Sequence, residues 1–513
     1  MSNTVTTRAG RTEGIDQDGL LVFKGIPYAA PPAGALRWMP PTPAAAWSGT
    51  RDARSFAPVG HQNRAQIGAL TAMTVNGEMS EDCLYLNIWT PGTSGAPRPV
   101  MLWIHGGGFT IGSGSQEIYD GATLAKRGNA VVVTINYRLG PLGFLRLSDI
   151  TNGRIPSTGN EGILDQIAAL EWVRDNIAEF GGDSDNVTIF GESAGGMSVG
   201  TLLAAPAARG LFHKAIPQSG SCNTATSAQR ANHVAEHVLK TLGVSPAHPE
   251  QLHGLTPEAL LKGTLLPNGM PSPELGMAYQ PVVDGAALPK AAIDLVAEGA
   301  TAGVSIMVGS TAEEWKLFAS MDARIADLDR KGLGARIGRR LAPEAADALI
   351  AAYEQARSGR GEPTTPAELF SAIESDRVFR IPGIRLAEIK SRREQNVYSY
   401  LFTWKSPALR GRLGSCHALE LGFVFGTNNV PGMKSFAGSG PDADRLATAM
   451  QDAWLAFART GNPSCESVGA WPTYTEARRA TMMFDAKSGS ADAPMDQERR
   501  AWDGMPSAII GAL

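Results

Sequence analysis

Val187-Thr188-Ile189-Phe190-Gly191-Glu192-Ser193-Ala194-Gly195 is the stretch on which the fold turns. It opens with a short apolar, β-branched run, and such runs read as strands buried on both faces of a parallel sheet. A serine flanked by glycines follows, and then a helix-compatible stretch beginning at Gly196. Strand, sharp turn and helix in that order predict an elbow that lifts the serine hydroxyl above the end of the sheet. Glycine belongs on either side because so tight a turn leaves no room for a Cβ.

The Gly-x-Ser-x-Gly spelling recurs at once in Gly196-Met197-Ser198-Val199-Gly200, so context must separate the two. Ser193 lies at the amino end of the predicted helix, where the helix dipole favours developing negative charge. Ser198 lies more than a turn inside it, where its hydroxyl is expected to bond a carbonyl four residues back. Ser193 is therefore the candidate nucleophile.

The same grammar repeats outward from the elbow. Val100 to Ile104 leads into His105-Gly106-Gly107-Gly108, and Ala130 to Ile135 leads into Asn136-Tyr137-Arg138. Val304 to Val308 leads into Gly309-Ser310-Thr311, and Val397 to Phe402 follows later. Between two of these strands, Ile163, Ile167, Leu170, Val173, Ile177 and Phe180 recur at helical steps, which predicts an amphipathic helix. Gly181-Gly182 should end it, with a turn over Asp183 to Asn186. Alternating strands and helices predict an α/β chain: a central, mostly parallel, doubly wound sheet with helices on both faces. Chemistry in such sheets collects at the carboxyl ends of the strands. Residues 226–299 and 317–390 read as helical insertions over that face, within one unit spanning 1–513.

The motifs fall at such strand ends. Three glycines after Val100 to Ile104 match a device that aims backbone N–H groups at a developing oxyanion, with Gly107, Gly108 and Ala194 as donors. One such donor contributes on the order of 3 kcal/mol in the transition state. His105 reads as a structural residue at the strand end. In the α/β-hydrolase order the acid follows the serine and the histidine comes last. Of His61, His105, His213, His233, His237, His248, His253 and His417, only His417 lies late enough. It sits in a loop after the strand Val397 to Phe402, where the base of this fold belongs. Glu313 and Glu314, after Val304 to Val308, could each orient it, and spacing alone does not choose. Phe109 and Phe318 are candidates to line a pocket.

Composition narrows the partners. The 513 residues carry a net charge of −4 with both signs interspersed, and no basic stripe suits nucleic acid. No apolar stretch reaches a membrane span, and Met1 to Arg8 lacks the apolar core of a signal peptide. Cys83, Cys222, Cys416 and Cys465 fit neither a zinc pattern nor a small disulfide framework. The expectation is a cytoplasmic chain with reduced thiols, no membrane partner and no metal or organic cofactor, working as a monomer or small homo-oligomer.

Taken together these residues resemble the type B carboxylesterases, a family that includes bacterial para-nitrobenzyl esterases, liver carboxylesterases and cholinesterases. The likeness starts at Phe23-Lys24-Gly25-Ile26-Pro27-Tyr28-Ala29 with Leu36-Arg37-Trp38, and continues through Ser80-Glu81-Asp82-Cys83-Leu84-Tyr85-Leu86-Asn87. It runs on through Asn136-Tyr137-Arg138, Gly162-Ile163-Leu164-Asp165-Gln166, the elbow and Gln218-Ser219-Gly220. The resemblance implies an α/β-hydrolase fold and hydrolysis of a small-molecule carboxylic ester through an acyl-enzyme. It places the acid at Glu314 and the base at His417, makes Arg37 and Glu81 a structural ion pair, and makes Ser219 a buried support. The same triad would also suit an amide, carbamate or lactone, and some relatives are binding modules that have lost the nucleophile. Three departures stand out. No cysteine precedes Cys83, which removes the family's disulfide loop and with it any expectation of choline esters. Trp315 and Ala418 each replace a family glycine beside the triad.

Overall fold

The computed structural model describes residues 3–64, 73–266, 272 and 274–511. Among these residues the main sheet has eleven strands: β1 (Ile15–Gln17), β2 (Leu20–Pro27), β3 (Tyr85–Thr90), β4 (Arg98–Ile104), β5 (Val131–Ile135), β6 (Gly182–Glu192), β7 (Lys214–Gln218), β8 (Ser305–Thr311), β9 (Val397–Phe402), β10 (Ala480–Phe484) and β11 (Gly489–Asp492). Their spatial order is β11-β10-β9-β8-β7-β6-β4-β5-β3-β2-β1. The run from β10 to β5 is parallel throughout, while β11 at one edge and β3, β2 and β1 at the other pair antiparallel. This is the α/β-hydrolase architecture, a mostly parallel sheet between helical layers.

Side-chain alternation shows why the strands read as continuous apolar runs. Along β4, Val100, Leu102 and Ile104 enter one core layer while Met101 and Trp103 enter the other. Every residue from Val100 to Ile104 is buried, so neither face tolerates a polar position.

The predicted helix spans α1 (Glu161–Asn176) and a 3-10 turn over Ile177–Phe180, closed by Gly181 at φ 75°. The turn expected at Asp183 to Asn186 is instead an extension of β6. Gly182 pairs with Arg98, the register shifts, and regular pairing resumes at Val187 opposite Val100. The elbow helix is α2 (Ala194–Leu202).

Two ion pairs fix loops to this frame, Arg138–Asp165 buried and Arg37–Glu81 partly so. Arg138, just past β5, donates to Asp165 in α1 at 2.8 and 2.7 Å. Arg37 donates to Glu81 at 2.6 and 2.5 Å and to the carbonyl of Leu255 at 2.9 Å, so the pair read as structural also anchors the first insertion.

That insertion contains a two-stranded pairing of Thr226–Ser227 with Val282–Val283 and the helices Ala228–Leu242, Pro257–Leu261 and Ala292–Glu298. Residues 267–271 and 273 lie outside the described residues. The second carries Trp315–Met321, Arg330–Ile337, Pro343–Gly359 and Pro366–Ser375, then Ile381–Ser391. Part of it has its own apolar cluster, with Leu333, Leu349, Tyr353, Leu369 and Ile373 packed round Trp502. Among the described residues no helix is long and apolar enough to cross a membrane. The four cysteines are free thiols.

Candidate active site

β6 delivers Glu192 as its last residue, and Ser193 follows with φ 57° and ψ −125°. A non-glycine residue at positive φ is costly and persists only where its surroundings fix it. Here the Ser193 N–H donates to the carbonyl of Gln218, at the end of β7, at 3.0 Å. Gly195 is forced by close approach: a Cβ there would stand 2.0 Å from the Ile104 carbonyl oxygen. Ser198 is buried in α2, and its hydroxyl accepts from Gln166 Nε2 at 3.0 Å. The expected bond to a carbonyl four residues back is not seen; the partner the hydroxyl meets is Gln166 of α1.

The glycine loop after β4 lies against the serine. A Cβ on Gly106 would be 3.1 Å from Ser193 Cβ. Gly107 has φ 104°, and its carbonyl accepts from Thr110 and Ile111 at 3.1 and 3.0 Å, a closure no side chain could share. Gly107, Gly108 and Ala194 donate their backbone N–H groups to no other described residue. Phe109 does not line a pocket: it is fully buried and packs on Phe144, ring centroids 4.9 Å apart. His105 stacks on Tyr137 at 4.4 Å, and its Nδ1 meets the Gly106 carbonyl at 2.8 Å. Burial pushes its pKa down to about 4, so it stays neutral and structural.

Beyond β8, Glu314 is wholly buried at the start of the helix Trp315–Met321. Its Oε1 accepts from the Thr311 N–H at 2.7 Å and from Ser219 Oγ at 2.6 Å. Its Oε2 lies 2.5 Å from His417 Nδ1. Glu313 faces elsewhere, accepting from the Ser415 N–H at 2.9 Å and pairing with Lys316 at 2.8 Å. Of the two glutamates, Glu314 is the one that meets the imidazole. With Nδ1–H given to Glu314, Nε2 is left as the basic nitrogen.

Sequence reasoning missed two further carboxylates. Glu192 Oε1 stands 3.1 Å from His417 Nε2, which places the imidazole beside the elbow. Glu420 is wholly buried, and its Oε1 accepts weakly from Gln218 Nε2 at 3.4 Å. The only signals were their places inside the two motifs, as the residue before Ser193 and the third after His417. Burial alone lowers the His417 pKa, but Glu192, Glu314 and then Glu420 more than offset it and hold it at about 9. Burial raises Glu192 and Glu420 well above the ordinary carboxylate range, and mutual repulsion with Glu314 adds to this. Among the described residues no group of three or more His, Cys, Asp or Glu side chains is arranged to hold a metal ion.

A strained serine at a strand end, unoccupied N–H donors beside it and a carboxylate-held imidazole form a hydrolase arrangement. The carboxylesterase family model matches residues 1–502. The chain belongs to the carboxylesterase family.

It is a carboxylic ester hydrolase. The chain is 38% identical over 505 residues to the para-nitrobenzyl esterase of Bacillus subtilis (strain 168), covering 97% of each. It is 35% identical to the phenmedipham hydrolase of Pseudarthrobacter oxydans, covering 91% of this chain and 92% of that one. Carboxylesterase EST55 of Geobacillus stearothermophilus superposes with a TM-score of 0.87 at 42% identity, covering 98% of this chain and all of that one.

The two glycine replacements in this carboxylesterase have different structural consequences. Trp315 packs on Phe318 with ring centroids 4.9 Å apart at a tilt of 43°, and its backbone N–H donates to Ser375 Oγ at 2.9 Å, tying the glutamate's helix to the second insertion. Phe318 in turn lies 5.1 Å from the His417 ring, so of the two aromatic candidates this one reaches the site. Ala418 adopts φ 65°, the left-handed region that glycine favours. That costs about 1–2 kcal/mol. An alanine at positive φ is destabilising relative to glycine, and nothing in the structure explains the replacement.

Proposed function

We propose that Ser193, His417 and Glu314 hydrolyse a small-molecule carboxylic ester through an acyl-enzyme. The observation that carries this reading is the 2.5 Å contact between His417 Nδ1 and Glu314, with the imidazole set beside the elbow. His417 Nε2 takes the Ser193 proton as Oγ attacks the ester carbonyl. The N–H groups of Gly107, Gly108 and Ala194 receive the oxyanion, and Glu314 stabilises the imidazolium. The proton passes to the leaving alcohol, and water then cleaves the acyl-enzyme by the same route. Ser219 serves by fixing the far oxygen of Glu314. The chain acts as one cytoplasmic unit, a monomer or small homo-oligomer, with its thiols reduced.

The direct test uses a para-nitrophenyl alkylphosphonate, which mimics the tetrahedral species and stays bound. Mass spectrometry should find one equivalent of phosphonyl adduct on the peptide containing Ser193, with loss of activity in proportion. An adduct elsewhere, or inactivation without one, sinks the assignment.

The base should also announce itself in pH dependence. Glu192 favours the charged imidazole, so turnover should rise with pH as the His417 cluster loses its proton. Glu192→Gln removes one of the charges holding that proton, and the acid limb of kcat/KM should move down by about 1–3 units. An unmoved limb would show that Glu192 does not face the ionising base.

A further inference from the structure

We infer that Phe379 is a positioning residue for His417, held against the imidazole by a π-helical turn that a buried hydrogen-bond chain pins in place. The inference rests on the reading of His417 as the base.

The helix Pro366–Ser375 runs through a π-helical turn at Asp376–Arg380 into the helix Ile381–Ser391. Pro382 supplies a cause: it has no N–H to offer the Val378 carbonyl, and its ring would strike that oxygen in a regular helix. Widening the turn relieves the clash. The widened turn presents Phe379, which is 2% exposed, with its ring 4.8 Å from His417. Phe379 also lies parallel to Phe318 at 6.1 Å, so two rings form one wall beside the imidazole. Glu314 and Glu192 meet the two ring nitrogens at the edge of the imidazole, and neither supports its face. The aromatic wall supports that face and offers π density to the imidazolium when it forms.

The turn itself is held from behind. Arg380 donates to both oxygens of Asp376 at 2.6 and 2.6 Å. The Tyr353 hydroxyl donates to the same carboxylate, and Trp502 Nε1 donates to the Tyr353 oxygen at 2.7 Å. All four side chains are buried, in a place where plain apolar packing would serve stability as well. Ester hydrolysis uses none of them directly, and their common effect is to fix the residues on either side of Phe379.

The test compares wild type with Phe379→Leu, Trp502→Phe and Tyr353→Phe on para-nitrophenyl acetate and octanoate. Phe379→Leu keeps an apolar side chain and removes the flat face. It should lower kcat about 10- to 100-fold on both esters, with KM within about threefold and the acid limb of kcat/KM displaced to lower pH. Trp502→Phe and Tyr353→Phe should lower kcat about 3- to 10-fold on both esters in the same pattern, and they decide the matter if Phe379→Leu does not fold. A rise in KM that depends on acyl length, with kcat and the limb unchanged, would make Phe379 a pocket lining and overturn the proposal. Wild-type kcat in all three variants would also overturn it. His417→Gln with wild-type kcat would instead defeat the reading of His417 as base, so the two failures are distinguishable.

Discussion

Ser193→Ala is expected to lower kcat on para-nitrophenyl acetate by about 10⁶-fold, leaving only what bound substrate gains from the oxyanion donors. The magnitude follows from chemistry that no neighbour can take over. Ser193 alone combines the strained backbone, the helix amino terminus and a place beside both the glycine loop and the His417 cluster. Ser198, one motif away, is buried and bonded to Gln166. Ser198→Ala should therefore cost stability and leave turnover within about tenfold. Equal losses in both variants, seen with far-ultraviolet spectra unchanged, would undo the choice of elbow.

Glu314→Gln is expected to lower kcat by about 10⁴-fold, because an amide can present its NH₂ to Nδ1 and trap the wrong tautomer. The site makes that failure severe. Glu314 accepts three hydrogen bonds, from Thr311, Ser219 and His417, and an amide oxygen can satisfy only the acceptor duty of one side. Glu313→Gln is the informative control. Its carboxylate serves Ser415 and Lys316, so turnover should fall less than about tenfold. If Glu313→Gln proves the more damaging change, the acid has been misassigned.

The sheet was legible because burial on both faces leaves a composition that nothing else imitates. Val397–Phe402 agrees with its reading to the residue, bounded as it is by polar segments and buried along its whole length. Gly182 to Asn186 was not legible as strand, since the turn-forming residues there keep a local bond, the Asp185 N–H to Asp183 Oδ1 at 3.0 Å, while Gly182 alone pairs with Arg98 before the register shifts. The candidate site divides in the same way. Ser193 and His417 sit in motifs whose residue types the chemistry dictates, so order along the chain makes them the candidates, whereas Glu314 is preferred to Glu313 only through the family resemblance. Glu192, Glu420 and Phe379 act through space, and only folding brings them to the imidazole.

The buried carboxylates round His417 bear on how this esterase should be kept. Glu192 and Glu420 retain protons in the folded protein above their ordinary 4.5, and His417 retains its own up to about pH 9 against an ordinary 6.5. In each case the native chain binds more protons than the unfolded one, so these groups withdraw stability as pH rises through that window. Their contribution is greatest in mild acid and is lost on the alkaline side, where the imidazole becomes free to act. Stability and turnover therefore pull in opposite directions within this one cluster: the alkaline range that frees the imidazole is the range in which the cluster's contribution to the fold is lost.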